Sequence, residues 1–198
     1  MFNRMFSWSF VAAACVAGSF PALSRGQEGA AQSGSAAVKV PAASLLMARQ
    51  EVGETRLDRS FKNGELSIGG KKYAAGIGTH ATSMIPLPVP EGSGSRVWKL
   101  EGACGIDDGT DGDGSVEFRV MSGSEVLWSS GVMKRGMPAK KFSVPVAENG
   151  IRHLYLMADR VENNSYDHAD WVDLVWKTGG EPQGMKGAVV NAAKFGMI

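Results

Sequence analysis

Along the middle of the chain, apolar side chains recur at every second position. Trp98, Leu100, Cys104 and Ile106 fall on one face of an extended segment, as do Val116, Phe118 and Val120, then Phe142, Val144 and Val146, then Leu154, Leu156 and Ala158. A period of two marks half-buried strands, and no stretch carries a convincing helical period. Turn-forming residues separate the runs: Gly69-Gly70, Gly92-Ser93-Gly94, Gly109 to Gly114, Ser122-Gly123 and Asn149-Gly150. Many short alternating strands predict an all-β fold, a sandwich or a barrel. In the last strand Val172, Leu174 and Trp176 form the more apolar set, so alternation turns Trp171, Asp173 and Val175 away from that core. Trp171 then stands at the strand entrance, either open to a ligand or capping the core.

The ends read differently. Arg4, the mostly apolar run Phe6 to Gly18 and the small residues of Ala22-Leu23-Ser24 predict a signal peptide over 1–24, cleaved before Arg25. The run is short for a membrane span and is broken by Ser, Gly and Pro, so the expected location is secreted or periplasmic. Ala12-Ala13-Ala14-Cys15 offers a lipoprotein reading, but the usual larger aliphatic residue three before that Cys is missing. Residues 25–43 are Gly, Ala, Ser and Gln with few large apolar groups, the composition of a flexible linker. Residues 178–198 form a C-terminal tail, whose stretch from Met185 is a short helix or loose. After cleavage only Cys104 remains, which excludes an intramolecular disulfide and suits a small buried hydrophobe.

At 198 residues and 43% apolar content, the chain can build one sizeable core but not two large domains. Its 21 basic and 20 acidic side chains nearly cancel, so there is no basic field for nucleic acid or an anionic membrane. A neutral or weakly charged ligand fits better. No Gly-x-Ser-x-Gly elbow, His-Glu-x-x-His helix, phosphate loop or Cys/His zinc pattern is present, and the expectation is that the chain is not an enzyme.

Candidate chemistry concentrates in Tyr166-Asp167-His168-Ala169-Asp170-Trp171. Carboxylates and an imidazole hold hydroxyls with directional hydrogen bonds, and aromatic rings cover the C–H face of a sugar. A second segment, Gly76-Ile77-Gly78-Thr79-His80, places a His where glycines let the backbone turn and approach a ligand. If the two segments meet, His80, Asp167, His168 and Asp170 surround one polar pocket; the other reading is a buried network bracing the loops. Arg160, Asn163 and Asn164 precede the motif and would tune which sugar fits. Asp107, Asp108, Asp111 and Asp113 lie on a Gly-rich loop of the kind that holds Ca²⁺, although the spacing is not that of an EF-hand; a solvated acidic turn is the alternative.

Taken in order, Asp58-Arg59-Ser60, Leu66 to Tyr73, Gly76 to Ala81, Gly105-Ile106-Asp107-Asp108, Ser130 to Met133 and Asp167 to Trp171 resemble the NPCBM domain. That carbohydrate-binding module is attached to family 98 glycoside hydrolases and is also counted as carbohydrate-binding module family 51. The likeness runs from Ser44 to Lys177. It departs at Ser44-Leu45-Leu46-Met47-Ala48, where the family usually has Ser-Asp-Leu-x-Trp. The resemblance implies a jelly-roll β-sandwich of the galactose-binding-domain-like type over 44–177, often carrying a structural Ca²⁺. It implies non-catalytic recognition of a terminal galactose-like sugar on a glycan or polysaccharide, by His80, Tyr166, Asp167, His168, Asp170 and Trp171. Catalysis would belong to a separate glycoside hydrolase with which the module associates. The competing reading is a structural or protein-interaction sandwich that has lost sugar binding, and the missing Asp and Trp favour it.

Overall fold

The computed structural model describes residues 35–37, 42–91, 97–146, 151–163 and 165–179. The expected signal peptide, most of the expected linker and all of the tail beyond Gly179 lie outside these. In chain order the elements are β1 (Ser35–Ala37), α1 (Ala42–Met47), β2 (Arg49–Gln50), β3 (Arg56–Leu57), β4 (Leu66–Ile68), β5 (Lys71–Tyr73) and β6 (Gly76–His80). There follow β7 (Ser83–Pro88), β8 (Val97–Ile106), β9 (Ser115–Ser122), β10 (Glu125–Lys134), β11 (Lys140–Val146), β12 (His153–Arg160) and β13 (His168–Gly179).

Two antiparallel sheets form the sandwich. One has the order β11-β8-β13-β6-β3 with β1 added beside β13, and the other is β10-β9-β12-β7-β2. The alternating residues supply its interior: Leu100, Cys104, Ile106, Val116, Phe118, Val120, Phe142, Val144, Val146, Leu154, Leu156 and Ala158 all lie in one buried cluster. Burial also pushes the Cys104 thiol well above its ordinary pKa, as expected of an inert packing group.

The β4–β5 hairpin lies on the outer face of the first sheet and buries Leu66 and Ile68 against Ala103 and Val172. Glycines make this approach possible. A Cβ on Gly78 would sit 2.3 Å from the Arg59 carbonyl oxygen, and one on Gly105 would sit 2.4 Å from Ile68 Cγ2. These glycines therefore admit the chain's own 59–68 segment, not a ligand.

Strand β13 corrects one expectation. Trp171 is fully buried in the sandwich core, edge-on to Phe118 and Phe142 with ring centroids at 5.2 and 5.7 Å. Trp176 lies in the same cluster although it is five residues away, an odd step that strict alternation forbids. A bulge resolves this: Val172 pairs with Ala103 but Val175 with Glu101, and Asp173 has φ 52°. The extra residue returns Trp176 to the inner face after Val172 has faced the hairpin.

The expected linker also holds structure. β6 pairs with β13 only as far as Val172, and β1 takes the adjoining edge from Val175 to Lys177. Backbone pairing needs no large side chains, so composition gave no sign of it.

Truncating Trp171 to Ala should cost about 3–5 kcal/mol, as for other large aromatic residues removed from cores. Urea unfolding followed by fluorescence will measure it, and a cost below about 1 kcal/mol would be incompatible with this packing.

Candidate functional site

The loops 107–114 and 161–167 meet where β8 and β12 end and β9 and β13 begin. Tyr166 stands between them with φ 64°, a left-handed conformation that costs a non-glycine residue on the order of 1–2 kcal/mol. Its carbonyl oxygen is held on two sides, accepting from Thr110 Oγ1 at 2.9 Å and His168 N at 2.8 Å. The ring lies over Gly112, where a Cβ would come within 2.4 Å of ring carbon Cδ2. Tyr166 remains 48% exposed, so its ring is fixed from behind and open to solvent.

Beneath it, His80 on β6 faces His168 on β13 in register. Their ring centroids are 5.5 Å apart, and the Phe61 ring caps both at 4.9 and 4.8 Å. His80 Nδ1 donates to the Ala81 carbonyl at 2.7 Å, since a carbonyl can only accept. His168 Nδ1 has no protein partner. Burial, then the proximity of His80 and Lys62, pulls the His168 pKa below the ordinary imidazole range and favours a neutral ring. Lys62, next to the Phe61 cap, forms an ion pair with Asp111 on the neighbouring loop.

The carboxylates divide by burial. Asp167 accepts from Ser115 N at 2.7 Å through Oδ1, and its carbonyl accepts from Ala81 N at 3.0 Å. Burial raises its pKa, partly offset by the Ser115 hydrogen bond. Asp108 accepts from Ser67 Oγ at 2.6 Å and from the Gly69 and Gly70 amides at 3.0 and 2.8 Å, which caps the hairpin turn. Asp107 accepts from Ser67 N at 3.2 Å and Gly109 N at 3.0 Å. Asp170 is fully buried beside Asp107, and neither of its oxygens has a donor in hydrogen-bonding geometry; the Ser67 amide, near enough to favour its carboxylate form slightly, is bonded to Asp107 instead. Burial first, and the Asp107 charge second, push its pKa up to about 10. Protonated Asp170 can instead donate to Asp107, which turns a repulsive pair into a hydrogen bond.

Of the six expected sugar-contacting residues, Tyr166 alone is exposed. His80, Asp167, His168 and Asp170 are 6% exposed or less and Trp171 is in the core, so these five do not line an open pocket. They tie strands, loops and cover together. The four expected calcium ligands do not gather either. Asp107 and Asp108 are occupied by backbone amides, Asp111 is paired with Lys62, and Asp113 is exposed; no group of three metal-ligating side chains exists among the described residues. That donor set does not fit Ca²⁺, which takes six to eight oxygens. Arg160 pairs with Glu51 at 2.7 Å at the rim, Asn163 is exposed, and Asn164 lies outside the described residues. Where the family's Trp is missing, half-buried Ala48 lines a shallow groove with Leu45 and Gly53. Sequence reasoning missed Phe61, Lys62 and Gly112, because only tertiary contact brings them to the motif.

The Asp170 environment fixes a pH dependence. Folded Asp170 keeps its proton where the unfolded chain releases it, so the native state binds more protons. Stability is then fully present below the ordinary carboxylate pKa and is lost, at up to about 1.4 kcal/mol per pH unit, as pH rises towards about 10. His168 acts in the opposite sense but only below the ordinary imidazole pKa, whereas Asp167 and, above the ordinary thiol pKa, Cys104 act in the same sense, so the Asp170 share is read from the difference in slope between variant and parent. Asp170→Asn should raise the midpoint of urea unfolding at pH 8–9 and flatten its decline with pH; an unchanged slope would mean that Asp170 is ionised in the fold.

Comparison with known proteins agrees with this architecture. The NPCBM/NEW2 domain family model matches residues 37–176. The chain is 82% identical over its full 198 residues to alpha-1,3-galactosidase B of Akkermansia muciniphila, and it spans a quarter of that protein's length. The family 51 module of a Clostridium perfringens GH95 protein, solved in complex with methyl-galactose, is 26% identical with TM-score 0.57, covering 65% of this chain and 91% of that one. A second such module, with INT domains of Clostridium perfringens ZmpB and solved with GlcNAc, is 28% identical with TM-score 0.54, covering 66% of this chain and 29% of that one. The sandwich, the two motif segments and the family match together place this chain in the NPCBM/NEW2 domain family.

Proposed function

We propose that this chain is a non-catalytic module that binds a terminal galactose-like sugar of a glycan at the Tyr166 loop junction, and that it serves an exported glycoside hydrolase of the galactosidase type. The observation that carries the site is the exposed Tyr166 ring, held in a strained conformation over Gly112 at the meeting of two loops. An amphipathic ring with one face buried and the other open suits the C–H face of a sugar. Asp111, Lys62, Asp113 and Asn163 supply exposed polar groups around the same loops, within the range of chemistry that holds hydroxyls. The solved relative with methyl-galactose and the galactosidase relative support the sugar class.

A shallow site of this kind should hold a monosaccharide with a dissociation constant near 1 mM, about −4 kcal/mol. Tyr166→Ala should weaken glycan binding at least tenfold on an array or by calorimetry, while the melting temperature stays within a few degrees. Full retention of binding by a folded Tyr166→Ala protein would place the sugar elsewhere, and silence of the unmutated protein across the array would favour the interaction-domain reading.

A further inference from the structure

The outer faces of the two sheets are treated differently. The first carries the β4–β5 hairpin, whereas no such hairpin covers the β10-β9-β12-β7-β2 sheet among the described residues. Because Leu154, Leu156 and Ala158 point inward from β12, Tyr155, Met157 and Asp159 point outward. Register then aligns rows across the strands. Val126 pairs with Met121, Met121 with Tyr155, and Tyr155 with Pro86, an apolar row crossing four strands. In the next row Arg119 pairs with Met157, and Met157 with Met84. Val126 is 49% and Met84 39% exposed, Met121, Tyr155 and Met157 are half-buried, and Pro86 at the end of the first row is buried. Arg119 is neutralised in place, bound to Asp159 at 3.0 Å and to Glu117 at 2.5 Å.

Three methionines, a tyrosine and an arginine on one continuous face match the residues enriched at protein interfaces, where Met adapts to an irregular partner surface. Four strands spaced about 4.8 Å apart give an apolar face roughly 14 Å wide, the dimension of a modest protein contact rather than of one sugar ring. The ionic group of one arginine and two carboxylates leaves only a single net negative charge, which argues against a highly charged polymer as the occupant. The 82% identical galactosidase supplies a candidate, since this chain matches only a quarter of its length. We infer that this outer face, centred on Met121, Tyr155 and Met157, is the surface on which the module packs against another globular domain of a longer galactosidase-type polypeptide.

The methionines serve as their own reporters. Peroxide oxidation followed by peptide mass spectrometry would be run on this chain alone and on the same chain joined to the remaining three quarters of the galactosidase relative. Oxidation at Met84, Met121 and Met157 should fall at least fivefold in the joined protein, while Met137, 43% exposed on the β10–β11 connection, reacts equally in both. Equal rates at all four would overturn the inference. So would protection already present in the chain alone, which as a sedimenting dimer would assign the face to a second copy and as a monomer to the chain's own ends. Loss of glycan binding on Tyr155→Ala with retention on Tyr166→Ala would assign the face to sugar and likewise overturn it; the fate of Tyr166→Ala alone bears only on the loop site.

Discussion

The close approach of the 59–68 segment to the outer face of the β6–β13–β8 sheet governs most of what surrounds it. Gly78 and Gly105 carry no side chain where Arg59 and Ile68 descend on the sheet, and a methyl group at either position would meet the descending chain below 2.5 Å. Because the cover sits so low, the outward residues of β13 are sealed between two layers. His168 is closed under Phe61, Asp170 under the hairpin, and Val172 against Leu66 and Ile68. Over residues 168–172 the strand is buried on both faces and has no side to offer a ligand. The proposed recognition therefore falls to the loop that precedes it, and Tyr166 is the residue at which that loop turns.

This explains why chemical density in the sequence and exposure in the structure diverge. Asp167, His168, Asp170 and His80 are polar groups that a buried junction can accommodate only when hydrogen-bonded, neutral or both. Asp167 meets an amide, His80 a carbonyl, and burial beside Asp107 favours the neutral form of Asp170. Asp108 extends the same logic by satisfying both amides of the Gly69-Gly70 turn, so the acidic loop fastens the hairpin to the sheet. Asp107 and Asp108, two of the four carboxylates that looked like metal ligands, are hydrogen-bond acceptors for backbone that would otherwise be orphaned.

The all-β class and the core positions of β8, β9, β11 and β12 could be read from the period of two, because inward and outward residues of Val116–Val120, Phe142–Val146 and Leu154–Ala158 follow strict alternation; the period left sandwich and barrel open, and Ile77, Ile85, Leu87 and Met133 joined the core without being singled out. Trp171 could not be read from it, because one extra residue at Asp173 reverses the parity of everything after it, and a bulge leaves no reliable mark in an apolar pattern. Strand β1 was hidden for a different reason: it contributes backbone bonds to a vacated edge through Ser and Ala alone. At the candidate site the motif segments were visible, but Phe61, Lys62 and Gly112 belong to it only through long-range contact. Their part depends on register and loop closure, which local sequence does not encode.

Rigidity then bears on how such a site functions. The Tyr166 backbone is pinned through its carbonyl, and its ring rests on glycine, so at the proposed site little side-chain entropy would remain to be lost on docking of a sugar. Preorganisation improves a small contact but cannot enlarge it, and one sugar ring still gives only about −4 kcal/mol. Useful retention on a glycan must therefore come from linkage. A weak module carried on a longer polypeptide raises the effective concentration of a neighbouring site to the millimolar range for short connections, the same scale as the module's own affinity. A rigid, shallow site is sufficient under that arrangement, and a stronger one would slow release without adding to the local concentration that the linkage supplies.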